Sequence, residues 1–307
     1  MIYLICYYDR MDIKDLITFE TVARLGGMGR AARELNTVQS NVTARVRRLE
    51  AALGVPLFER SRAGATLTAA GERLMPYAGR VGALLDEAGR AARDDGAPQG
   101  TLTVGSLETT AALRLSPLLA GYATAYPSVD LILRTGTTAE MIERVMAGEL
   151  EGAFVCGPVV HPQLEATPFF DEELALLSAP SQRSLPALLA RLDLRIIVLR
   201  AGCSYRQRLE EVLAHRGIVG LRRLEFGTLE AILGAVAAGL GITLLPRALI
   251  GPMWRGERIA THRLPPSESR VQTVFVRRRD MLRSSALTAF QDHITRPTAL
   301  KRREKDR

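Results

Sequence analysis

Apolar positions near the N-terminus recur at helical spacing. Leu16, Phe19 and Ala23 share one face, and the pattern stops at Gly26-Gly27. A second short helix is predicted over residues 30–35, and Asn36 and Thr37 supply cap-type residues for a third. In that third helix Val42, Val46 and Leu49 fall within about 60° of one another at 100° per residue. Ser40, Thr43, Ala44 and Arg47 point the opposite way, with Gln39 on one flank and Asn41, Arg45 and Arg48 on the other. Three short helices joined by brief turns make a helix-turn-helix unit.

After Gly54 and Pro56 the period changes. Leu57-Phe58 and Thr66-Leu67-Thr68 flank a polar turn holding Arg60, Arg62 and Gly64, which predicts a small hairpin, or wing. Thr68 can then cap a long helix in which Leu74, Ala78, Val81, Leu85, Ala88 and Ala92 alternate four and three residues apart. That spacing predicts a coiled-coil-like seam, although an ordinary amphipathic helix has the same face. "DDGAPQG" at 94–100 reads as a linker.

From Thr101 onward, runs such as "TLTVGSL", "DLILRTGT", "GAFVCGPV", "LRIIVLRAG" and "RRLEFG" alternate with helical stretches. Strands separated by helices predict an α/β body with a parallel sheet. The apolar stretch "AILGAVAAGLGITLLP" (231–246) is too short and too Gly-broken to span a membrane, and reads as a buried helix running into a buried strand.

With 307 residues the chain is about twice a typical domain, which agrees with a small head and a larger body. The net charge of +8 is unevenly placed: residues 11–93 carry +4, the last seven +3, and residues 94–300 only +1. A basic head suits a polyanion, and a neutral body suits something else. Arg-rich sequences can also be basic without binding anything. Cys6, Cys156 and Cys203 are odd in number and far apart, with no metal spacing and no disulfide framework, so a reducing cytoplasm is expected. The opening "MIYLICYY" lacks a basic n-region and a cleavage site, so residues 1–10 read as an extension ahead of Met11.

Short polar side chains plus arginine on an exposed helix face are what a DNA major groove accepts. Gln and Asn bond bidentately to adenine, Arg bonds to guanine, and small residues allow close approach. A solvated helix face is the plain alternative for this helix alone; the wing arginines and the basic balance favour the groove.

These residues also carry a family resemblance. The spacing Leu16–Phe19–Val22-Ala23, Ala31-Ala32–Leu35, Gln39, Leu49-Glu50–Leu53-Gly54–Leu57-Phe58–Arg60 and Leu67-Thr68–Gly71 resembles the LysR-type transcriptional regulators. A looser likeness continues through "TLTVGS…YPSVDL…GEL…GAF…GLGITLLP". The chain departs from the family's usual Gly-Ser with Gly26-Gly27, from Ser-Gln-Pro-Ala with Val38-Gln39-Ser40-Asn41, and from Ser-Arg-Gln with Thr43-Ala44-Arg45. Ala44 cannot make an arginine–guanine contact, so base preference does not carry over. By this resemblance Gln39, Ser40, Thr43 and Ala44 face base edges, with Asn41 beside them. Arg45 and Arg47 lie near phosphates, Arg60 and Arg62 reach backbone or minor groove, and Arg30 joins the DNA-contacting set.

The resemblance implies a body like a periplasmic binding protein, two α/β lobes around a small-molecule cleft. Residues at strand–helix turns are the candidate effector contacts: Ser106, Gly136, Thr137, Cys156, Gly202, Cys203, Ser204, Gly227 and Thr228. Small residues and hydroxyls there leave room and donors for a carboxylate. Helix capping also accounts for each of them singly. Expected boundaries are an extension at 1–10, a winged helix-turn-helix at 11–68, a dimerising linker helix and hinge at 69–99, and a basic tail at 296–307. The effector domain spans 100–295, with lobe one at 100–163 and 271–295 and lobe two at 164–270. The expected fold is thus an all-α winged head with a linker helix, followed by a two-lobed α/β effector domain of the periplasmic-binding-protein type 2.

No G-x-S-x-G elbow, H-E-x-x-H or P-loop occurs, and Cys203 and His215 lie three turns apart on one predicted helix. "GLG" at 239–241 precedes a strand, the wrong order for a dinucleotide fingerprint. His161, His262 and His293 have no ligand-like companions. Neither catalysis, nor a metal, nor a cofactor is expected. Expected partners are double-stranded DNA, a small-molecule effector and a second copy of the chain (dimer or tetramer), without a membrane. The competing class is a solute-binding protein with no DNA role.

Overall fold

The structure is a computed structural model, which describes residues 11–61, 64–191, 193–251 and 258–295. It divides into two compact units, residues 1–93 and 94–307.

In the first unit, α1 (Ile13–Leu25) starts where the Asp12 carboxylate accepts from the Lys14 N–H at 2.8 Å, and stops at Gly26, which is left-handed at φ 68°. Helix α2 (Met28–Glu34) begins two residues earlier than the sequence pattern indicates. Helix α3 (Gln39–Leu53) corrects a further expectation: Val38 occupies its N-cap without a side-chain bond. Thr37 instead accepts from Asn41 Nδ2 at 2.9 Å, and Asn36 turns the chain with φ 48°. Val42, Val46 and Leu49 are buried and join Leu16, Phe19, Val22, Ala31 and Ala32 in one core. Each of the larger side chains (Leu, Val and Phe) contributes roughly 1.5–3 kcal/mol by leaving water.

The wing is present as β1 (Phe58–Ser61) antiparallel to β2 (Gly64–Leu67). Arg60 and Gly64 therefore stand on strands rather than in the turn. Phe58 packs on Phe19 with ring centroids 5.3 Å apart. Thr68 caps α4 (Ala69–Arg93), its hydroxyl accepting from the Gly71 N–H at 3.1 Å. A Cβ at Gly71 would stand 2.4 Å from the Leu57 carbonyl oxygen, so glycine is what lets α4 close on the wing. The expected seam divides within this helix. Ala78 is buried and Leu74, Met75 and Val81 lean on the head core, whereas Leu84 and Leu85 are 61% and 41% exposed.

In the second unit, β3 (Gly100–Ser106) pairs in parallel with β4 (Val129–Thr135) and β5 (Gly152–Cys156). All of β5 is buried, as befits a strand covered on both faces. The sheet is mixed, which corrects the parallel expectation: β11 (Arg270–Arg278) runs antiparallel to β5 and to the long β6 (Leu164–Ser178). The first half of β6 pairs with β11. Its second half lies between β9 (Thr243–Pro246) and β10 (Ala260–Arg263). One strand thus runs on past the expected boundary at 163/164, its first ten residues beside β11 and the rest between β9 and β10.

Helix α5 (Ser116–Ala125), preceded by a helical turn at Glu108–Thr110 and a π-helical stretch at Ala111–Leu115, covers lobe one with α6 (Thr138–Ala147) and a C-terminal helix (Ser285–Thr295). Lobe two holds α7 (Leu185–Leu189), β7 (Arg195–Val198), α8 (Ser204–Ala214), β8 (Arg222–Glu225) and α9 (Leu229–Ala237). There β7 pairs in parallel with β8 and reaches the β9 side through the Ile196–Ile242 bridge. Each lobe has its own apolar core.

Candidate functional site

On α3 the exposed side opposite the buried stripe carries Gln39, Ser40, Asn41, Ala44 and Arg47, with Thr43 and Arg45 half-buried beside it. The Thr43 hydroxyl donates to the Gln39 carbonyl at 2.9 Å, so its lone pairs face outward. The Gln39 side chain passes Gly29, where a Cβ would stand 3.3 Å from Oε1, which brings the two helices of the motif close. This is a shallow polar surface of donors and acceptors at a helix N-terminal end, the shape and chemistry that enter a major groove.

The arginines divide by partner. Arg47 is exposed and makes no ion pair among the described residues. Arg45 and Arg48 are tied to Asp15, Arg45 Nη1 at 3.2 Å and Arg48 Nε and Nη2 at 2.5 Å. The Arg30 Nε donates to the Leu25 carbonyl, which places its guanidinium on the turn between α1 and α2. Arg60 falls on β1. Arg62, residues 1–10 and residues 296–307 lie outside the described residues.

In the second unit a cavity of about 290 Å³ opens where four strands of the two lobes end. Lobe one lines it with Leu107, Glu108 and Thr109 after β3, and Thr135, Gly136 and Thr137 after β4. Lobe two contributes Leu199 and Arg200 after β7, Cys203, Ser204 and Tyr205 entering α8, and Gly227 and Thr228 before α9. Four hydrogen bonds cross between the lobes here. Thr109 Oγ1 donates to the Tyr205 phenol at 3.4 Å, and the Leu229 N–H donates to Glu108 Oε1 at 3.4 Å. Arg200 Nη2 donates to Glu140 Oε2 at 2.9 Å, and the Ala139 N–H donates to the Gly202 carbonyl at 3.3 Å. Gly202, left-handed at φ 87°, has no space for a side chain: a Cβ would meet Thr137 Oγ1 at 2.9 Å.

Helix termini supply the polarity of this cavity. Thr137 and Glu140 form a reciprocal capping box on α6, and the Thr228 hydroxyl accepts from the Ala231 N–H at the start of α9. The Thr137 backbone N–H, and then Arg200, hold the Glu140 carboxyl below the usual carboxylate range. Burial pushes the Tyr205 phenol well above its ordinary value, so it stays a neutral donor or acceptor. Among the described residues burial also raises the two free thiols, Cys156 to about 11 and Cys203 upward. Thiols held protonated are poor nucleophiles. No cluster of three or more His, Cys, Asp or Glu side chains suited to a metal occurs among the described residues.

Of the nine expected effector contacts, six line this cavity: Gly136, Thr137, Cys203, Ser204, Gly227 and Thr228. Gly202 stands directly behind it against Thr137. Two of the nine lie elsewhere. Ser106 is completely buried and donates to the Leu107 carbonyl at 2.9 Å, because the end of a strand covered on both faces points into protein. Cys156 faces a separate cavity of about 430 Å³ on the other side of α8, which also includes His161, Gln207 and Arg208. Sequence reasoning missed Glu108, Thr109, Arg200 and Tyr205. Following each strand–helix turn one or two residues further into the helix finds the first, second and fourth of them. Arg200 carries no such signal.

The family model "LysR substrate binding domain" matches residues 95–298, and "Bacterial regulatory helix-turn-helix protein, lysR family" matches residues 13–72. The HTH-type transcriptional regulator GltR of Bacillus subtilis (strain 168) is 42% identical over 292 residues, covering 95% of this chain and 99% of that protein. The uncharacterized HTH-type transcriptional regulator YusT of the same organism is 44% identical over 285 residues, covering 93% and 96%. Among solved structures, full-length CbnR complexed with its target DNA superposes with a TM-score of 0.66 at 28% identity, covering 94% of this chain and 100% of that one.

Proposed function

The chain belongs to the LysR family of bacterial regulatory proteins, and from that premise we propose how its two units divide the work. It is a DNA-binding transcriptional regulator with a substrate-binding effector domain, and not an enzyme. The competing class, a solute-binding protein without a DNA role, falls with the match of the head.

In our proposal α3 enters the major groove, with Gln39, Ser40, Thr43 and Ala44 against base edges and Asn41 beside them. Arg47 contacts phosphate, while Arg30, Arg60 and Arg62 supply further backbone contacts from the α1–α2 turn and the wing. The exposed polar face of α3, set opposite the fully buried Val42, Val46 and Leu49, carries this assignment.

The effector occupies the cavity between the lobes, held by Thr137, Ser204 and Thr228 together with Thr109, Tyr205 and Arg200. The hydroxyls, the helix N-termini and Arg200 favour a ligand bearing a carboxylate. Because Thr109–Tyr205 and Glu108–Leu229 already bridge the lobes, a ligand that exchanges for either bond changes the angle between them. Effector and DNA affinities are then reciprocally coupled, by about 1–3 kcal/mol in typical cases. Leu84 and Leu85, exposed on α4, pack against a second copy in a dimer or a dimer of dimers, which presents paired heads to two half-sites. Such a protein works in the cytoplasm, where its DNA is.

The test is a fluorescence-anisotropy titration of the full-length protein against DNA from immediately upstream of its own gene, with a scrambled duplex and several salt concentrations. Binding at least about a hundredfold tighter than to the scramble is expected, a threshold set below the roughly 10³–10⁷-fold typical of specific recognition. Equal, salt-steep binding to both duplexes would count against an operator in that DNA. The same assay, run with a small-molecule panel, then identifies effectors by the shift they cause.

A further inference from the structure

Asp15 stands in the first turn of α1, where its side chain is only 1% exposed. Its oxygens are held by the helix that faces DNA: Arg48 Nε and Nη2 at 2.5 Å and Arg45 Nη1 at 3.2 Å. A carboxylate this buried is strongly penalised unless it is paired and hydrogen-bonded, and three N–H donors meet that need. Arg45 is three-quarters covered and Arg48 about half, both turned toward the head rather than fully into solvent. Arg47, between them in sequence, points the other way and has no such partner among the described residues.

We propose that Asp15 determines the specificity of DNA binding by withholding Arg45 and Arg48 from phosphate. Sequence-independent affinity comes from cations that neutralise phosphates and release counterions, each contact steepening the salt dependence by roughly 0.9. Free arginines on α3 would strengthen binding to every sequence alike and so dilute the contribution of base contacts. A phosphate that captures Arg45 or Arg48 takes one or two of the three N–H donors from the buried carboxylate, so the exchange is unfavourable. Asp15 thereby also fixes the roll of α3, because both guanidiniums lie on one flank of the helix. It acts on DNA through those two side chains, as a positioning residue. On this inference Arg45, expected near phosphate, is held back from it by Asp15; the inference rests on the reading that α3 faces DNA.

The test uses the full-length protein and a scrambled duplex, with the slope of log K against log salt as readout. Asp15→Asn keeps the side-chain volume but removes the charge and turns one of the two accepting oxygens into an NH2 donor, so the arginines are released. It is expected to tighten binding to the scramble, steepen its slope by roughly 0.9 to 1.8, and lower the ratio of specific to scrambled affinity. Arg48→Ala is expected to leave the slope unchanged, whereas Arg47→Ala reduces it by roughly 0.9. An unchanged slope in a folded Asp15→Asn protein, or a loss at Arg48→Ala equal to that at Arg47→Ala, overturns the inference while leaving α3 in the groove. No change at Arg47→Ala removes the reading that arginines of α3 reach phosphate, and the inference with it, while Gln39→Ala and Thr43→Ala still decide whether α3 lies in the groove. Should Asp15→Asn fail to fold by circular dichroism, the Arg48→Ala and Arg47→Ala pair decides.

Discussion

Thr109 and Tyr205 meet across the cleft, the hydroxyl of one lobe donating to the phenol of the other at 3.4 Å. Both groups are buried, so each depends on the other for its hydrogen bond. Tyr205→Phe removes the acceptor and leaves Thr109 to find another, at an expected cost of about 1–3 kcal/mol. Urea unfolding of the full-length protein measures this, and binding to a scrambled duplex should be untouched. A stability equal to wild type would mean that the bond is replaced by water.

The face of α3 makes a second prediction. Gln39→Ala and Thr43→Ala lower specific affinity by about 1–3 kcal/mol each, the range of one good base contact, while affinity for a scrambled duplex holds. Anisotropy on both duplexes at one salt concentration decides. Equal losses on both would remove these side chains from the base edges.

Ser106 and Thr137 are neighbours in the sequence pattern of strand ends, yet they should behave differently. Ser106→Ala leaves ligand-induced thermal shifts at wild-type size, because its hydroxyl points to the Leu107 carbonyl and not into the cavity. Thr137→Val removes the α6 cap, costing about 1 kcal/mol, and reduces those shifts. If Ser106→Ala abolished the response, the cavity would have been placed on the wrong side of β3.

The α6 cap also gives a pH dependence with a definite sign. The Thr137 backbone N–H and Arg200 keep the Glu140 carboxyl below the usual carboxylate range, so the fold favours the ionised form. That stability is fully present above the ordinary value for glutamate, about 4.3, and is lost as pH falls through the lower folded value. Glu140→Gln should therefore be less stable than wild type at pH 7, with the gap narrowing below about pH 4. Thermal melts across that range test it, and a gap that widened in acid would contradict the assignment. Glu140 is more than a third exposed, so solvent screening keeps the effect small.

The exposed part of α4 makes a fourth contrast. Leu84→Glu with Leu85→Glu should lower the mass seen by light scattering toward that of one chain, and the head fold should survive because neither residue belongs to its core. An unchanged mass would place self-association elsewhere.

By itself the sequence determined the head. Its helices and wing are short, local and regularly patterned, so Leu16, Phe19, Val42, Val46 and Leu49 could be assigned to one core from spacing alone, and the exposed polar face of α3 followed as what remained. It also marked most of the strand–helix turns around the cavity, since glycine and hydroxyl residues there obey local capping rules. Tertiary structure decided what depends on distant segments. Strand β6 could not be read because it lies in two environments, its first half beside β11 and its second between β9 and β10, so no single period runs through it. The inward turn of Ser106, the pairing of Arg200 with Glu140 and the hold of Asp15 on Arg45 and Arg48 join residues 30 or more positions apart, or rest on layers packed from elsewhere. A side chain's type is written in the chain; whether it faces solvent, a ligand or a buried counter-charge is set by the surfaces that folding brings against it.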